Sequence, residues 1–137
     1  MEMRLADTES GNVIAVALSP ELIAALVKLP EQPAKYFKPS PSARLIPVDT
    51  LVLEHLRVTS IKNANMLMTT AYRGIIERRH PITVTKNGDQ YFVIDGNSTA
   101  ANAIFSGWRL IQAEIIEGDA AGIAASSYVR SRCGRNL

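Results

Sequence analysis

The sequence has a single cysteine, Cys133, and that scarcity excludes several structural classes. One thiol cannot build a disulfide framework or a thiolate metal site within a chain. No apolar run approaches the roughly 20 residues that a membrane-spanning helix needs. The polar N-terminus also lacks the charged-then-apolar layout of a secretory signal. These absences predict a reducing, cytoplasmic setting and no membrane partner.

Neither sign of charge dominates the chain. Fifteen Lys and Arg residues stand against thirteen Asp and Glu residues, for a net charge of +2. This balance does not predict an extended nucleic-acid-binding surface, although it permits a local basic patch. The 137 residues, 47% of them hydrophobic, suffice for one core. We therefore expect one domain with appendages.

The first half of the chain predicts helices joined by an extended connector. The first dozen residues have the composition of a loose terminus, and Ser19-Pro20 begins a helix expected to run to Lys28. The prolines of residues 28–44 predict a connector lying across the surface. Residues 44–48 then predict a strand. A longer helix is predicted from Ser60 to Arg79, because its apolar positions fall on one face. Those positions are Ile61, Ala64, Met68, Tyr72, Ile75 and Ile76.

The second half predicts a β-hairpin, a helix and a final strand. Two β-rich runs, Ile82–Lys86 and Gln90–Asp95, flank Asn87-Gly88. Asn-Gly is the preferred pair for a type I′ turn between two strands. A helix then ends at Gly107, residues 111–117 form the last strand, and one weak helix is expected before Arg130. The sequence therefore predicts an α+β domain.

The junction after the hairpin is the candidate functional site. A strand reaches Gly96, and the next helix opens with three small polar residues, Asn97, Ser98 and Thr99. The free amides and the positive dipole end of a helix N-terminus suit a phosphate group. The same residues also suit an ordinary helix cap. Neither a P-loop nor a dinucleotide-binding motif occurs in the chain.

A polar stripe on the preceding helix is the second candidate element. Its residues are spaced three or four apart: Lys62, Asn65, Thr69, Arg73 and Glu77. If the stripe faces the Gly96 turn, it supplies cations and donors for a nucleotide; otherwise it is a solvated helix face. Glu77 and Asp95 are the candidate carboxylates for holding a metal or acting as a general base. The metal ligands themselves stay unknown.

Three further residues allow more than one interpretation. Arg78 and Arg79 either favour the C-terminal end of the helix dipole or contact phosphates. His55 is an isolated histidine, for which a solvated or core role is the more common outcome.

One stretch of the sequence resembles a known group of proteins. The pattern P-I-T-V-T…Q-Y-F-V-I-D-G-N-S-T-A-A-N-A…G-W…I-Q-A-E-I-I is similar to the core of the ParB/sulfiredoxin-like superfamily. This superfamily includes partition-protein N-terminal domains, sulfiredoxins, free-serine kinases and small plasmid-borne nucleases and ATPases. The resemblance implies an α+β core over residues 45–117, with a small mixed sheet, a β-hairpin and packed helices. Residues 1–44 would form an arm with one helix and a Pro-rich connector, and residues 118–137 a tail.

The resemblance also implies a nucleotide site. In the superfamily a Gly-x-x-Arg turn and the following helix bind nucleotide phosphates, and Gly96–Thr99 occupy that turn here. The spacing of Lys62, Asn65 and Thr69 is similar to that of three helix contacts in sulfiredoxins. The superfamily arginine is replaced by Thr99, so a bidentate guanidinium is missing from the turn. The sulfiredoxin cysteine would fall at Asn97, which excludes its thiol chemistry.

The leading hypothesis is a nucleotide-binding domain with ATP or CTP and Mg²⁺ as its cofactor. An associated ATPase or DNase activity would act in plasmid or chromosome biology, with DNA contacted through local basic residues. One alternative is a non-catalytic interaction or regulatory module that has lost the nucleotide site, and another is a small-metabolite kinase of the serine-kinase type. A protein partner or a homodimer is also compatible with the sequence, and whether the chain is an enzyme stays open.

Overall fold

Strands and helices alternate along the chain in the manner of an α+β protein, as the sequence predicts. The computed structural model describes residues 2–6 and 12–116. Its strands are β1 (Glu2–Ala6), β2 (Val13–Ala17), β3 (Ala43–Pro47), β4 (Leu51–Val52), β5 (Ile82–Asn87), β6 (Gln90–Asp95) and β7 (Leu110–Ile116). Its helices are α1 (Pro20–Ala25), α2 (Pro33–Tyr36), α3 (Val58–Tyr72) and α4 (Asn97–Phe105), with a 3₁₀ turn at Val48–Thr50.

Five strands form a mixed sheet in the order β3-β7-β5-β6-β4, and β1 and β2 form a separate antiparallel ribbon. β5 runs antiparallel to β6 and parallel to β7. Because side chains alternate between the two faces of a strand, every second residue enters the core. Ile82, Val84, Val93, Ile111 and Ala113 are buried in this way. The sheet therefore holds the ends of β5 and β6 rigidly beneath α4.

The predicted hairpin is present, but its turn differs from the expected one. Asn87 pairs with Gln90, so the loop consists of Gly88 and Asp89. Gly88 has a positive φ of 64°, and no described non-glycine residue has a positive φ. A glycine at the first loop position is typical of a type II′ turn, whereas type I′ needs two positive φ values. The predicted type I′ turn at Asn87-Gly88 was therefore wrong by one residue.

The expected surface connector contributes to the core instead. Within residues 28–44 the chain forms α2, and Tyr36 and Phe37 are fully buried. The rings of Tyr36 and Trp108 lie 5.0 Å apart, and the Trp108 indole N–H donates to the Leu29 carbonyl at 2.8 Å. Stacking and this buried hydrogen bond fix the segment, since a buried indole needs a partner. The loose N-terminus predicted for the first dozen residues likewise contains β1.

Helix α3 begins two residues earlier than predicted and ends seven residues earlier, at Tyr72. Gly74 has a φ of 77°, its amide donates to the Ala71 carbonyl, and the Ile75 amide donates to the Thr70 carbonyl. This pair of bonds around a left-handed glycine is a Schellman ending. Ile75 and Ile76, predicted for the buried face, are consequently 63% and 40% exposed.

Helix α1 begins at Pro20 as predicted, but it ends at Ala25 rather than Lys28, because the Val27 backbone bonds the Asn65 side chain instead of continuing the helix. Strand β2 was not predicted. The last two elements follow the prediction closely. Helix α4 ends before Gly107, which has a positive φ of 78°, and β7 occupies the predicted last strand. The weak helix expected before Arg130 lies outside the described residues. In the described ranges, no helix combines the length and the apolar character required to cross a membrane.

Candidate functional site

An open cleft of about 260 Å³ lies at the N-terminal end of α4. Its lining residues are His55, Arg79, Ile94, Asp95, Gly96, Asn97, Ser98 and Thr99. The structure thus brings the predicted turn together with Asp95. It adds His55, which the sequence did not assign to the site, and Arg79, for which the sequence offered phosphate contact as one of two roles.

Gly96 shapes the entrance of α4. Its φ of 93° lies in the left-handed region, and a Cβ at this position would meet the Ile82 Cγ2 atom at 2.7 Å. The Ala100 amide makes the first intrahelical bond, to the Gly96 carbonyl at 2.8 Å. The amides of residues 97–99 precede that bond, so they have no intrahelical acceptor. Three backbone donors and the positive dipole end therefore converge at the cleft.

Asn97 and Thr99 have different environments although both are buried. The Asn97 Oδ1 atom accepts from the Glu54 amide at 2.7 Å, and its Nδ2 donates to the Val93 carbonyl at 3.4 Å. Asn97 therefore ties the loop that carries His55 to α4. Thr99 is only 3% exposed, and it lines the cleft. A hydroxyl can donate one hydrogen bond and accept others, so Thr99 suits a phosphate oxygen at this position.

Arg79 enters the cleft from the segment that follows α3. Its amide donates to the Tyr36 carbonyl and its carbonyl accepts from the Lys38 amide, each at 2.7 Å. Burial lowers the pKa of Arg79, and the charge of Asp95 acts in the opposite direction. An arginine nevertheless stays protonated in proteins. Across residues 2–6 and 12–116 the guanidinium forms no salt bridge, so its donors remain open to an anion.

His55 is the second basic group of the cleft. Partial burial lowers the pKa of its imidazole, the nearby Arg57 lowers it further, and a hydrogen bond to its own backbone acts in the opposite direction. The lowered pKa leaves His55 neutral near neutral pH. Asp95, on the same cleft, is exposed. The cleft therefore combines one fixed cation, one titratable base and one carboxylate.

The polar stripe of α3 lies outside this cleft. Asn65 is buried: its Nδ2 donates to the Val27 carbonyl at 2.8 Å and to the Asn102 Oδ1 at 2.7 Å, and its Oδ1 accepts from the Val27 amide at 3.1 Å. The Thr69 hydroxyl donates to the Asn65 carbonyl at 2.8 Å. Lys62 and Arg73 are exposed. None of these four residues lines the cleft, and their nucleotide-binding roles stay predictions.

The two candidate carboxylates lie on different surfaces. Asp95 lines the cleft, whereas Glu77 pairs with Lys38 at 3.4 Å and lies in a separate groove. Among the described residues, no group of three or more His, Cys, Asp or Glu side chains is arranged to hold a metal ion. Asp95 is therefore the carboxylate placed to meet a ligand at the α4 turn.

The sequence left Arg79 between two roles, because it placed this residue at the end of a long helix. A signal was present, since Gly74 interrupts the run Arg73–Arg79 and a glycine commonly follows a helix end. Ending α3 there frees residues 75–80 to form a connecting segment. The spacing of residues does not show which surface such a segment crosses.

Comparisons with known proteins found similar solved structures. No family model and no curated protein matches the chain. A C-terminally truncated SbnI from Staphylococcus aureus is 25% identical, with a TM-score of 0.45 over 55% of this chain and 30% of that one. The chromosome-partitioning protein ParB from Caulobacter crescentus, complexed with CTP-γ-S, is 14% identical, with a TM-score of 0.44 over 69% and 55%. A Pnob8-like ParB-N domain is 14% identical, with a TM-score of 0.42 over 69% and 37%.

The chain spans between about a third and a half of the length of these solved chains. Residue roles are not carried across at such similarity, so the case for function rests on the cleft itself. SbnI and ParB proteins are therefore among the solved structures to which the chain is similar.

Proposed function

We propose that the chain binds the phosphate groups of a nucleoside phosphate in the cleft at the N-terminal end of α4. The observation that carries this proposal is the half-buried Arg79 guanidinium, which has no salt-bridge partner in the described chain and shares the cleft with the free amides of α4. Arg79 would supply the cation that the turn lacks at Thr99. The Thr99 hydroxyl, which lines the same cleft, would add a further donor.

The chemistry of these groups suits a phosphate. A guanidinium presents a planar fork that grips phosphate oxygens in a bidentate manner. The backbone amides of the helix add hydrogen-bond donors, and they do so without burying a further charged group. Such hydrogen bonds strengthen where the local dielectric constant is low, as it is around the half-buried Arg79. The cleft therefore binds an anion by charge and by directed donors together.

Asp95 gives the proposed site a ligand for a divalent cation. A carboxylate beside phosphate oxygens is repulsive unless a cation lies between them. Mg²⁺ is commonly held by one or two carboxylates together with ligand phosphates, and it keeps several waters. Asp95 would be the protein ligand of such an ion, which would neutralise phosphate charge. We therefore expect nucleotide binding to be tighter with Mg²⁺ than without it.

The size of the cleft limits what it encloses. Its volume of about 260 Å³ lies below the roughly 300–1,000 Å³ of pockets that bury a whole small-molecule ligand. The phosphates would fill the cleft, and the nucleoside would lie beyond it. The base would then contribute little to affinity through the cleft-lining residues.

The geometry favours binding over catalysis. Nucleotide hydrolysis, nuclease action and kinase activity need a positioned base or a metal cluster as well as phosphate contacts. In the described cleft Asp95 is the one carboxylate, since Glu77 pairs with Lys38 elsewhere, and the titratable base His55 is exposed. The alternative is an interaction module in which the turn has a purely structural role. It is distinguished from the proposal by a measurement of nucleotide affinity, because it predicts none.

We expect Arg79→Gln to weaken nucleotide binding by about tenfold or more. Hydrogen bonds to charged groups are worth about 1.5–3 kcal/mol, and each 1.4 kcal/mol corresponds to a factor of ten in affinity. Isothermal titration calorimetry with ATP, ADP, CTP and GTP, each with and without Mg²⁺, measures the effect. Glutamine keeps part of the buried stem of Arg79 and removes the charge.

Arg44→Gln is the matched control, because Arg44 is an exposed arginine on β3 whose guanidinium donates to the carbonyls of Pro41 and Ala43 and does not line the cleft. It should leave the affinity unchanged. If no nucleotide binds the wild-type protein, the proposal is wrong. Equal losses in the two variants would mean that general charge, rather than the cleft, attracts the ligand.

Nucleotide affinity should rise as the pH falls through the lowered pKa of His55. Below that pKa the imidazole becomes a cation, and a phosphate beside it stabilises the charged form. In the ligand-free protein the same protonation is unfavourable, because the folded-state pKa lies below the unfolded value of about 6.5. The free energy of unfolding should therefore decline as the pH falls from about 6.5. Calorimetry between about pH 5 and pH 7.5 measures the expected rise in nucleotide affinity, and urea unfolding over the same range measures the expected decline in the free energy of unfolding.

His55→Gln provides the comparison for this pH dependence. The nucleotide phosphate itself titrates near pH 6, and that contribution is common to both proteins. The difference between wild type and variant therefore isolates the imidazole. If the two affinity profiles are parallel over the whole range, His55 does not contact the phosphate.

A further inference from the structure

A second groove, of about 780 Å³, lies at the C-terminal end of α3. It shares no lining residue with the cleft at α4. Side chains from α2, α3 and the segment after α3 form its walls, among them Ala34, Lys35, Lys38, Tyr72, Ile76 and Arg78. The groove is therefore a separate feature of the surface.

The charge on this groove is positive. Lys35, Lys38 and Arg78 line it together with one carboxylate, Glu77. The Lys38 Nζ atom lies 3.4 Å from the Glu77 Oε1, so this pair is mutually neutralised. Lys35 and Arg78 then remain as two positive charges in excess. The Arg78 guanidinium donates to the Ala34 carbonyl at 3.0 Å, which holds its charge at the rim.

The same region exposes apolar surface. Because α3 ends at Tyr72, Ile76 lines the groove at 40% exposure and the neighbouring Ile75 is 63% exposed. Contiguous exposed apolar surface is typical of a contact surface. Ile76 lines the groove beside the apolar atoms of Ala34 and Tyr72, in the same groove as Lys35 and Arg78.

We propose that this groove docks an acidic peptide segment of a protein partner, and that the segment carries at least one large apolar side chain. Carboxylates of the segment would meet Lys35 and Arg78, and its apolar side chain would cover Ile76. Complementary charge steers the encounter and fixes the register, and the buried apolar contact provides affinity.

A nucleic acid fits the groove less well. Its phosphates would satisfy the cations, but they would leave the isoleucines exposed to water. Single-stranded nucleic acids also rely on bases stacking upon aromatic rings. The Lys35 ammonium lies 5.2 Å from the Tyr72 ring centroid and occupies one face of that ring. The combination of cations with exposed isoleucines therefore favours a peptide.

The test selects short random peptides displayed on phage against the full-length protein. We expect the enriched peptides to combine Asp and Glu with Leu, Ile, Phe or Trp. Fluorescence anisotropy with the most enriched peptide then measures affinity for the wild type, Lys35→Glu and Ile76→Ser. Each substitution should weaken binding by about tenfold, because one reverses a rim charge and the other removes the apolar contact.

Two matched controls make the same chemical changes elsewhere. Lys86→Glu reverses an exposed charge on β5, and Leu45→Ser removes an exposed apolar side chain on β3. Both should leave peptide affinity unchanged, and urea unfolding of all four variants confirms that they are folded. The proposal is wrong if no peptide is enriched, if the enriched peptides are not acidic, or if the controls weaken binding as much. It is also wrong if an oligothymidine competes more tightly than the peptide and loses affinity with Lys35→Glu.

Discussion

Gly96→Ala is expected to lower the free energy of unfolding by about 3 kcal/mol, because it adds left-handed backbone strain of roughly 1–2 kcal/mol to overpacking of roughly 1–3 kcal/mol. Gly96 has a φ of 93°, and its Cα lies so near Ile82 that an added Cβ would stand 2.7 Å from the Cγ2 atom. The strand below is part of the central sheet, so the turn rather than the sheet must move. Chemical denaturation with urea measures the loss.

The same substitution should also weaken nucleotide binding. The Gly96 carbonyl starts α4, and the amides that face the cleft follow directly after it. Hydrogen bonds weaken steeply as their angle departs from linearity. A shifted turn therefore misdirects three donors at once. Calorimetry at a temperature where the variant is fully folded separates this effect from the loss of stability.

Gly107→Ala is the control for the backbone contribution. Gly107 also has a positive φ, 78°, but an added Cβ there meets nothing within 4 Å. It should lose only the roughly 1–2 kcal/mol of left-handed strain. Ile82→Leu removes the Cγ2 branch at nearly constant volume, so Gly96→Ala should be less destabilising in that background. Equal losses at Gly96 and Gly107 would show that the approach to Ile82 has no effect on stability.

Asn65→Ala is expected to lower the free energy of unfolding by about 2–3 kcal/mol, because it breaks a buried hydrogen-bond network. Its carboxamide bonds both backbone groups of Val27 and the Asn102 side chain. Asn102 is fully buried and also donates to the carbonyls of Ile61 and Ser98. Removing Asn65 leaves a buried Oδ1 without its donor, which is the costly outcome in such a network.

Nucleotide affinity decides between the two roles offered for Asn65. The sequence assigned it to a nucleotide-contacting stripe, whereas in the structure its polar atoms bond Val27 and Asn102. We therefore expect the affinity of folded Asn65→Ala to equal that of the wild type. Asn63→Ala is the control, since Asn63 is exposed on the same helix and should change stability by less than about 0.5 kcal/mol. A selective loss of affinity in Asn65→Ala would restore the sequence-based role.

Local patterns predicted much of the fold around the site. The β-rich runs on either side of Asn87-Gly88 predicted β5 and β6, and Gly96 and Gly107 predicted the limits of α4 to within a residue. These signals depend on period and on glycine conformation, which are properties of short segments. The Ser19 cap of α1 also forms, with its hydroxyl accepting from the Leu22 amide at 3.2 Å.

The errors occurred where distant segments compete with local preference. Proline-rich residues 28–44 suggested a surface connector, yet Tyr36 and Phe37 are buried because Trp108 and the sheet offer them apolar contacts. Ile75 and Ile76 continued the apolar face of α3, yet Gly74, which directly precedes them, has a positive φ and ends the helix. The spacing of apolar residues predicts which face of a helix is buried, but it does not predict the residue at which the helix ends.

By itself, the sequence determined the α+β class, the hairpin and the glycine turn that opens α4, because each depends on neighbours within a few residues. Only the tertiary structure decided which cation reaches that turn. The backbone of Arg79 forms hydrogen bonds with Tyr36 and Lys38, and these bonds place the residue at the cleft. Its guanidinium thereby provides a positive charge, which the uncharged Thr99 does not. Such pairing joins segments far apart in the chain, so it depends on packing and leaves no spacing pattern in the sequence.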